Sequence, residues 1–215
     1  MSEPIGLFGG TFDPIHYGHL RTAFELLQAL RLAQVRFLPT GNPPHREAAL
    51  AGSELRLEMV RAAVAGQIGF VVDDREIRRG GVSYSVDTVS ELRREYPERS
   101  LCLLLGMDAF LGMPTWYRWR EIFEFCHVVV AHRPGWKAPI TGPLGEVMVD
   151  RGTGSVRDLH GSPAGRIHVH AVTQLEIAST DLRALILAGR DLRYLVPDAV
   201  RELIQRSGCY AAPSR

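Results

Sequence analysis

The sequence is poor in the features that mark several classes of protein. It has three cysteines among 215 residues, without CxxC spacing, and Cys102 and Cys126 lie in apolar stretches, so we expect buried thiols rather than a disulfide framework or a metal site. No apolar run is long enough to cross a membrane, and no signal peptide is evident. The 25 basic residues nearly balance the 24 acidic ones, so no overall charge favours nucleic acid or a membrane surface as a partner. We therefore expect a cytoplasmic protein that binds any anion locally.

Two common phosphate-binding fingerprints are also missing. There is no GxxxxGK[ST] motif, and Gly6, Gly9 and Gly10 do not make GxGxxG. Instead, the apolar run 5–8 is followed directly by GGTFDPIHYGHL, which begins with Gly9 and Gly10 and continues as an amphipathic helix pattern. A strand, a glycine turn and a helix start are the order in which backbone N–H groups and a helix dipole bind a phosphate.

Two histidines strengthen this interpretation. His16 and His19 are three residues apart at the helix entry, so they would face the same side of the first turn. Two imidazoles placed in this way can donate hydrogen bonds to one anion and stabilise charge on a phosphoryl group. The alternative is a tight turn capped by Asp13, with two surface histidines.

The segment GGTFDPIHYGH, residues 9–19, resembles the HxGH signature of the nucleotidyltransferase superfamily. The longer form GGTFDPxHxGH resembles bacterial nicotinate mononucleotide adenylyltransferases. The resemblance covers nearly the whole chain and implies adenylyl transfer from ATP to nicotinate mononucleotide, which forms nicotinate adenine dinucleotide and pyrophosphate in NAD biosynthesis. It also implies Mg²⁺ as cofactor, held by the phosphates of ATP and not directly by the protein.

A second phosphate site is predicted near the end of the chain. Ser179 or Thr180 is expected to cap a helix, and Arg183 lies one turn further on. Hydroxyls, helix N–H groups and a guanidinium together suit a polyphosphate, whereas the alternative is a capped helix with a solvated arginine. The segment 177–183 resembles the family's second signature, ISSTxxR, with Ala178 in place of the first serine.

The ATP-binding residues are expected at four places in the sequence. The apolar run 101–105 predicts a central strand, and Gly106 and Asp108 at its end suit a ribose, although Asp108 could equally cap the next helix. With the resemblance, the predicted catalytic residues are His16, His19 and Arg183. The predicted ATP contacts are Gly9, Gly10, Thr11, Phe12, His16, His19, Gly106, Asp108, Arg133, Ser179, Thr180 and Arg183.

The mononucleotide is expected to lie between a loop and an aromatic cluster. The loop 40–52 follows a predicted strand, and three aromatic residues within 116–119 cannot all face one core, so at least one ring is available for stacking. Thr88 lies near a helix start, where a capping role is the alternative. With the resemblance, the predicted contacts are Thr11, Phe12, His45, Arg46, Thr88, Trp116 and Tyr117.

The order of elements predicts the fold. Strands and helices alternate along the chain, which indicates an α/β fold with a doubly wound parallel sheet and helices on both faces, Rossmann-like in architecture. We expect a single nucleotidyltransferase domain over 1–215, with a loop-rich insertion around 136–165. In such a sheet the two phosphate motifs can meet at the switch point. The oligomeric state stays open, a homo-oligomer included.

Two other functions remain open from the sequence. Phosphopantetheine adenylyltransferases share HxGH but do not need the Trp116–Tyr117 pair. A non-catalytic nucleotide-binding regulator is the other alternative, which the presence of both histidines and Arg183 disfavours.

Overall fold

The structure, a computed structural model, describes residues 3–42, 49–132, 141–173 and 175–211. Strands and helices alternate through these ranges. The strands are β1 (Ile5–Gly10), β2 (Gln34–Pro39), β3 (Phe70–Val72), β4 (Leu101–Gly106), β5 (His127–His132), β6 (Gly152–Thr153) and β7 (Ile167–Ala171). The helices are α1 (Tyr17–Ala29), α2 (Ser53–Val64), α3 (Arg75–Arg79), α4 (Ser85–Glu95), α5 (Met107–Gly112), α6 (Ile122–Phe125), α7 (Gly142–Arg151), α8 (Val156–Gly161), α9 (Ser179–Leu187) and α10 (Asp198–Ser207). None of these helices combines the length and hydrophobicity that a membrane span requires.

The strands of the described residues form one parallel sheet. Their order is β3-β2-β1-β4-β5-β7-β6, so the chain winds outwards from β1 and then returns to β4 on the other side of it. This places the switch point between β1 and β4. Leu7 is paired with Leu103, and both strands end three residues later, at Gly10 and Gly106. The predicted glycines therefore end two neighbouring strands at one edge of the sheet.

Side chains from both faces of the sheet are buried, as the apolar runs predicted. In β4, Cys102 and Leu104 pack on one face, whereas Leu101, Leu103 and Leu105 pack on the other. Helices α1, α2, α9 and α10 cover the first face, and α4, α5, α6 and α7 cover the second. The doubly wound α/β fold is thus confirmed. Cys102 and Cys126 are buried thiols, as expected, and burial raises the pKa of Cys102 to about 12.

Part of the chain contains more helix than the sequence indicated. Residues 141–165, the described part of the segment expected to be loop-rich, contain α7, β6 and α8. Only Leu144 and Gly145 of α7 are buried, so the helix presents too narrow an apolar face for its periodicity to be read from the sequence.

We predict that Leu104→Ala lowers the free energy of unfolding by about 2–5 kcal/mol, because it removes methyl groups from a fully buried position on the central strand. Urea unfolding followed by circular dichroism measures this. Leu187→Ala is the matched control: Leu187 is 58% exposed, and its loss should change stability by less than about 0.5 kcal/mol. Equal effects of the two changes would contradict the assignment of Leu104 to the core.

Candidate active site

The turn after β1 is fixed by the packing of Phe12. This residue has a left-handed backbone (φ 50°), and its ring is buried against Phe8, Phe37 and His19. Gly10 is required beside it, since a Cβ at that position would lie 2.9 Å from the Phe12 ring. The Phe12 ring is therefore a packing element, and any contact of Phe12 with a substrate would come from its backbone.

The two histidines of the first signature stack on each other at the start of α1. Their ring centroids are 3.7 Å apart, and the His16 backbone N–H donates a hydrogen bond to His19 Nδ1 at 3.4 Å. That bond favours the His19 tautomer with its proton on Nε2. A Cβ on Gly18 would lie 2.9 Å from His16 Nδ1, so the glycine between the histidines lets the His16 ring lie against the backbone.

His16 has little access to solvent. Its side chain is buried, and within the part of the chain that the structure describes its Nδ1 atom has no hydrogen-bond partner. Burial lowers the pKa of His16 to about 4, because an imidazolium would lose its hydration there. The ring is therefore neutral at pH 7 in this state of the protein.

The second signature lies against the first. Ser179 Oγ donates to the Pro14 carbonyl at 3.0 Å, and Arg183 Nη1 donates to the Asp13 carbonyl at 2.8 Å. These residue pairs are 165 and 170 positions apart in the sequence. The two motifs, which the fold allowed to meet, are therefore in contact just after the end of β1.

The start of α9 differs from the expected one. The N-cap residue is Ala178, so the prediction that Ser179 or Thr180 caps this helix is wrong. Ser179 is already the first residue of the helix, and its hydroxyl donates to the Pro14 carbonyl instead. Among the described residues no side chain caps α9, which leaves its first N–H groups without a side-chain acceptor. Such a helix end suits an anion.

Asp13 acts as a buried acceptor rather than as a cap for α1. Its carboxylate accepts hydrogen bonds from Leu50 N–H (2.9 Å), Ala51 N–H (3.1 Å) and the Tyr210 hydroxyl (2.6 Å). One of its oxygens also lies 3.8 Å from Arg183 Nη1. The carboxylate thus joins the first signature to residues from three other parts of the chain.

Arg56, on α2, is a second buried hub that the sequence did not reveal. Its guanidinium donates to the carbonyls of Thr11 (2.7 Å), Gly41 (3.1 Å) and Ala51 (3.2 Å). Only 1% of the residue is exposed, and burial lowers the pKa of the guanidinium. In the sequence it resembles any charged residue of an amphipathic helix, and its partners cannot be recognised from local spacing.

The end of β4 presents the predicted glycine and carboxylate. Gly106 is the N-cap residue of α5, and Asp108 lies in the first turn of this helix, so the alternative in which Asp108 is the cap is not observed. Both residues are exposed at the edge of the sheet where β1 also ends.

The aromatic cluster provides one open ring, as predicted. Tyr117 is 50% exposed, and its ring lies 4.6 Å from that of Tyr84, which precedes α4. Trp116 is half-buried against the second face of the core, and Trp119 is buried. The surface formed by Trp116, Tyr117 and Tyr84 therefore lies beside the start of α4.

Thr88 is less accessible than expected for a ligand contact. It is only 2% exposed, and its hydroxyl donates to Glu76 Oε1 (2.8 Å) and accepts from Arg79 Nη2 (3.0 Å). Ser85, the first residue of α4, is half-buried and lies directly after Tyr84. It was not among the predicted contacts, although a hydroxyl at a helix start is a recognisable signal.

Three predicted contacts, His45, Arg46 and Arg133, lie outside the described residues. Within the described ranges, no group of three or more His, Cys, Asp or Glu side chains could hold a metal ion.

Known proteins resemble this chain in sequence and in fold. It matches the Cytidylyltransferase-like family model over residues 7–185. It is 46% identical over 210 residues to a probable nicotinate-nucleotide adenylyltransferase of Aeromonas hydrophila, with 98% of each chain covered. A relative of the same name from Dechloromonas aromatica is 48% identical, with 98% of this chain and 99% of the relative covered. The fold is similar to that of Plasmodium falciparum nicotinic acid mononucleotide adenylyltransferase complexed with NaAD (TM-score 0.72, 14% identity, 97% of this chain and 98% of the other covered).

The buried, neutral His16 should make stability depend on pH. In the unfolded chain this histidine takes up a proton near pH 6.5, but in the folded protein only near pH 4. Between these values the unfolded state binds more protons than the folded state. The free energy of unfolding is therefore highest above pH 6.5 with respect to this group, and it falls by up to about 3 kcal/mol as the pH decreases towards 4. Urea unfolding of the wild type and His16→Gln at several pH values isolates this contribution, since glutamine does not titrate. Parallel pH profiles for the two proteins would contradict it.

Proposed function

Since the chain belongs to the nicotinate-nucleotide adenylyltransferase family, we propose that it transfers the adenylyl group of ATP to nicotinate mononucleotide. The products are nicotinate adenine dinucleotide and pyrophosphate. The observation that carries the proposal is the contact between the two signatures, in which Ser179 and Arg183 bond to the Asp13–Pro14 segment beside the stacked histidines.

The chemistry fits a site without a general base. A phosphate oxygen of the mononucleotide attacks the α-phosphorus of ATP, and the bond from that phosphorus to the bridging oxygen breaks, so that pyrophosphate leaves. The nucleophile is largely dianionic at pH 7, because its second pKa is about 6, and it has no proton to lose. The protein therefore contributes positioning and charge stabilisation.

The proposed triphosphate site lies between the two helix starts. His19 would donate through Nε2, Arg183 through the guanidinium nitrogens directed away from Asp13, and the start of α9, with Ser179 and Thr180, through its N–H groups. The charge of a bound triphosphate would raise the pKa of His16 and allow it to act as a second cationic donor.

The rest of ATP would lie along the carboxyl ends of β1 and β4. Gly9 and Gly10 let a ligand approach the backbone, where Thr11 and Phe12 follow, and a Cβ on Gly9 or Gly106 would meet no atom within 4 Å. Asp108, exposed at this edge, suits the ribose hydroxyls as an acceptor. By the family pattern, Arg133 is assigned to ATP, and His45 and Arg46 to the mononucleotide.

The pyridine ring would stack on the aromatic surface of Trp116 and Tyr117. The Thr88 hydroxyl already has two protein partners, so we place the nicotinate carboxylate at the start of α4, beside Ser85. The helix N–H groups and the Ser85 hydroxyl are donors there, which suits a carboxylate better than an amide. Thr88 would then hold the start of α4 in place through its hydrogen bonds to Glu76 and Arg79.

Mg²⁺ would enter with ATP, because the described residues offer no cluster of acidic or imidazole ligands and phosphate oxygens are the ligands that this ion prefers. When bound, the ion supplies charge neutralisation between the phosphates.

Pyrophosphate release should be fastest with nicotinate mononucleotide when it is compared with nicotinamide mononucleotide and phosphopantetheine, each with ATP and Mg²⁺. His19→Ala and Arg183→Ala are expected to lower kcat by about 10²- to 10³-fold, because each removes a donor to the reacting phosphates. Arg190→Ala, an exposed arginine just beyond α9, is the matched control and should retain wild-type turnover. Turnover of phosphopantetheine alone would overturn the proposed substrate, and an active His19→Ala enzyme would overturn the proposed site.

Chelation of the metal should separate activity from folding. An excess of EDTA is expected to reduce pyrophosphate release to background, and added Mg²⁺ to restore it. The melting temperature of the protein without ATP should not change, because the ion belongs to the nucleotide. A clear loss of thermal stability with EDTA would instead indicate a metal held by the protein.

A further inference from the structure

Arg183 lies beside a carboxylate without forming a close ion pair with it. Its Nη1 atom donates to the main-chain carbonyl of Asp13 at 2.8 Å, while the nearest side-chain oxygen of Asp13 is 3.8 Å away. A guanidinium this close to a free carboxylate ordinarily forms a bidentate pair at 2.7–2.9 Å. Some other interaction must keep the two groups apart.

The Asp13 carboxylate already accepts hydrogen bonds from three other donors. The Tyr210 hydroxyl donates to Oδ1 at 2.6 Å, Ala51 N–H donates to the same oxygen, and Leu50 N–H donates to Oδ2. Tyr210 and Asp13 are both buried, at 6% and 5% exposure. Burial and the neighbouring carboxylate raise the pKa of Tyr210, so the hydroxyl keeps its proton and remains a donor. A short bond from a hydroxyl to a carboxylate is among the stronger hydrogen bonds in proteins.

We propose that Tyr210 is a positioning residue for Arg183, because its hydroxyl holds the Asp13 carboxylate in place and leaves the guanidinium available to the triphosphate of ATP. The inference rests on the proposed function, in which Arg183 contacts the phosphates. Without the hydroxyl, Oδ1 loses its shortest hydrogen bond. The carboxylate can then turn towards Arg183 and compete with the phosphates for it.

The backbone after α10 is shaped to deliver this hydroxyl. Gly208 has a left-handed conformation (φ 63°) that ends the helix and turns the chain back, so that the Tyr210 ring enters the core beneath the first signature. The bond to Asp13 then joins residues that are 197 positions apart. The residues after α10 therefore do more than pack against the core: they connect the end of this helix to the proposed active site.

The first test is the affinity of Tyr210→Phe for Mg-ATP, measured by isothermal titration calorimetry in the absence of mononucleotide. We expect the Kd to rise about tenfold, because the interaction of Arg183 with the phosphates is weakened. The KM for nicotinate mononucleotide should stay within about twofold of the wild-type value. Tyr96→Phe is the matched control, because it also removes a hydroxyl bonded to a charged group, Arg36 Nη2 at 2.7 Å, but outside both signatures. It should leave the Kd unchanged.

Two further variants separate positioning from general damage to the fold. In an Arg183→Ala background, Tyr210→Phe should change the Kd by less than about twofold, since the residue through which it acts is absent. Asp13→Asn removes the charge that competes with the phosphates, so it should leave ATP affinity unchanged or increase it, opposite in sign to Tyr210→Phe. A purely structural network would weaken ATP binding in both.

The proposal is overturned if Tyr210→Phe binds Mg-ATP as tightly as the wild type, if its effect is the same with and without Arg183, or if Asp13→Asn weakens binding as much. Failure of the proposed function would appear differently, as a wild-type protein that binds Mg-ATP but does not adenylate nicotinate mononucleotide.

Discussion

One buried guanidinium holds the loops of the site together. Carbonyl groups in loops have no helix or strand partner, so when they are buried they need another donor. Arg56 donates to the carbonyls of Thr11, Gly41 and Ala51. Thr11 follows β1, Gly41 follows β2, and Ala51 precedes α2. A lysine carries only a single ammonium group at the end of its chain and cannot match a planar fork with five N–H donors. The turn after β1 and the two described ends of the segment between β2 and α2 are thereby fixed relative to one another before any ligand is present.

The hydrogen-bond network around Arg56 continues through Gly41 towards the proposed binding site of the pyridine ring. The Gly41 carbonyl accepts from Arg56, while the Gly41 N–H bonds to the buried Glu76 carboxylate, which also accepts from Thr88 on α4. Gly41 has no room for a side chain, because a Cβ would lie 2.7 Å from the Glu76 carbonyl oxygen. Burial raises the pKa of Glu76, and the hydrogen bonds from Thr88 and Gly41 act in the opposite direction. The loops that flank the two proposed substrate sides therefore share one polar network.

Sequence reasoning succeeded where a structural signal is local and was insufficient where it is not. The continuous apolar run of β4 and the three-residue spacing of His16 and His19 each lie within a few residues, and the structure confirms both features. Arg56 and Tyr210 reach partners 45 and 197 positions away, and no local pattern distinguishes them from ordinary helix or core residues. The predicted hydroxyl cap of α9 was wrong because the helix begins one residue earlier, with Ala178 as its N-cap, and the Ser179 hydroxyl donates to the Pro14 carbonyl 165 positions away.

The burial of His16 connects stability with the proposed chemistry. A neutral imidazole whose Nδ1 lacks a partner among the described residues is unfavourable in the free protein, since a buried polar atom without a hydrogen bond costs about 1–3 kcal/mol. The water-poor environment that lowers its pKa also strengthens every interaction with a bound phosphate. If His16 were solvated, its Nδ1 atom would bond to water and its pKa would lie near 6.5, but its interaction with a phosphate would be screened. The burial of His16 thus lowers the stability of the free protein and strengthens its interaction with a bound polyphosphate. Phosphoryl transfer without a general base depends on such charge stabilisation.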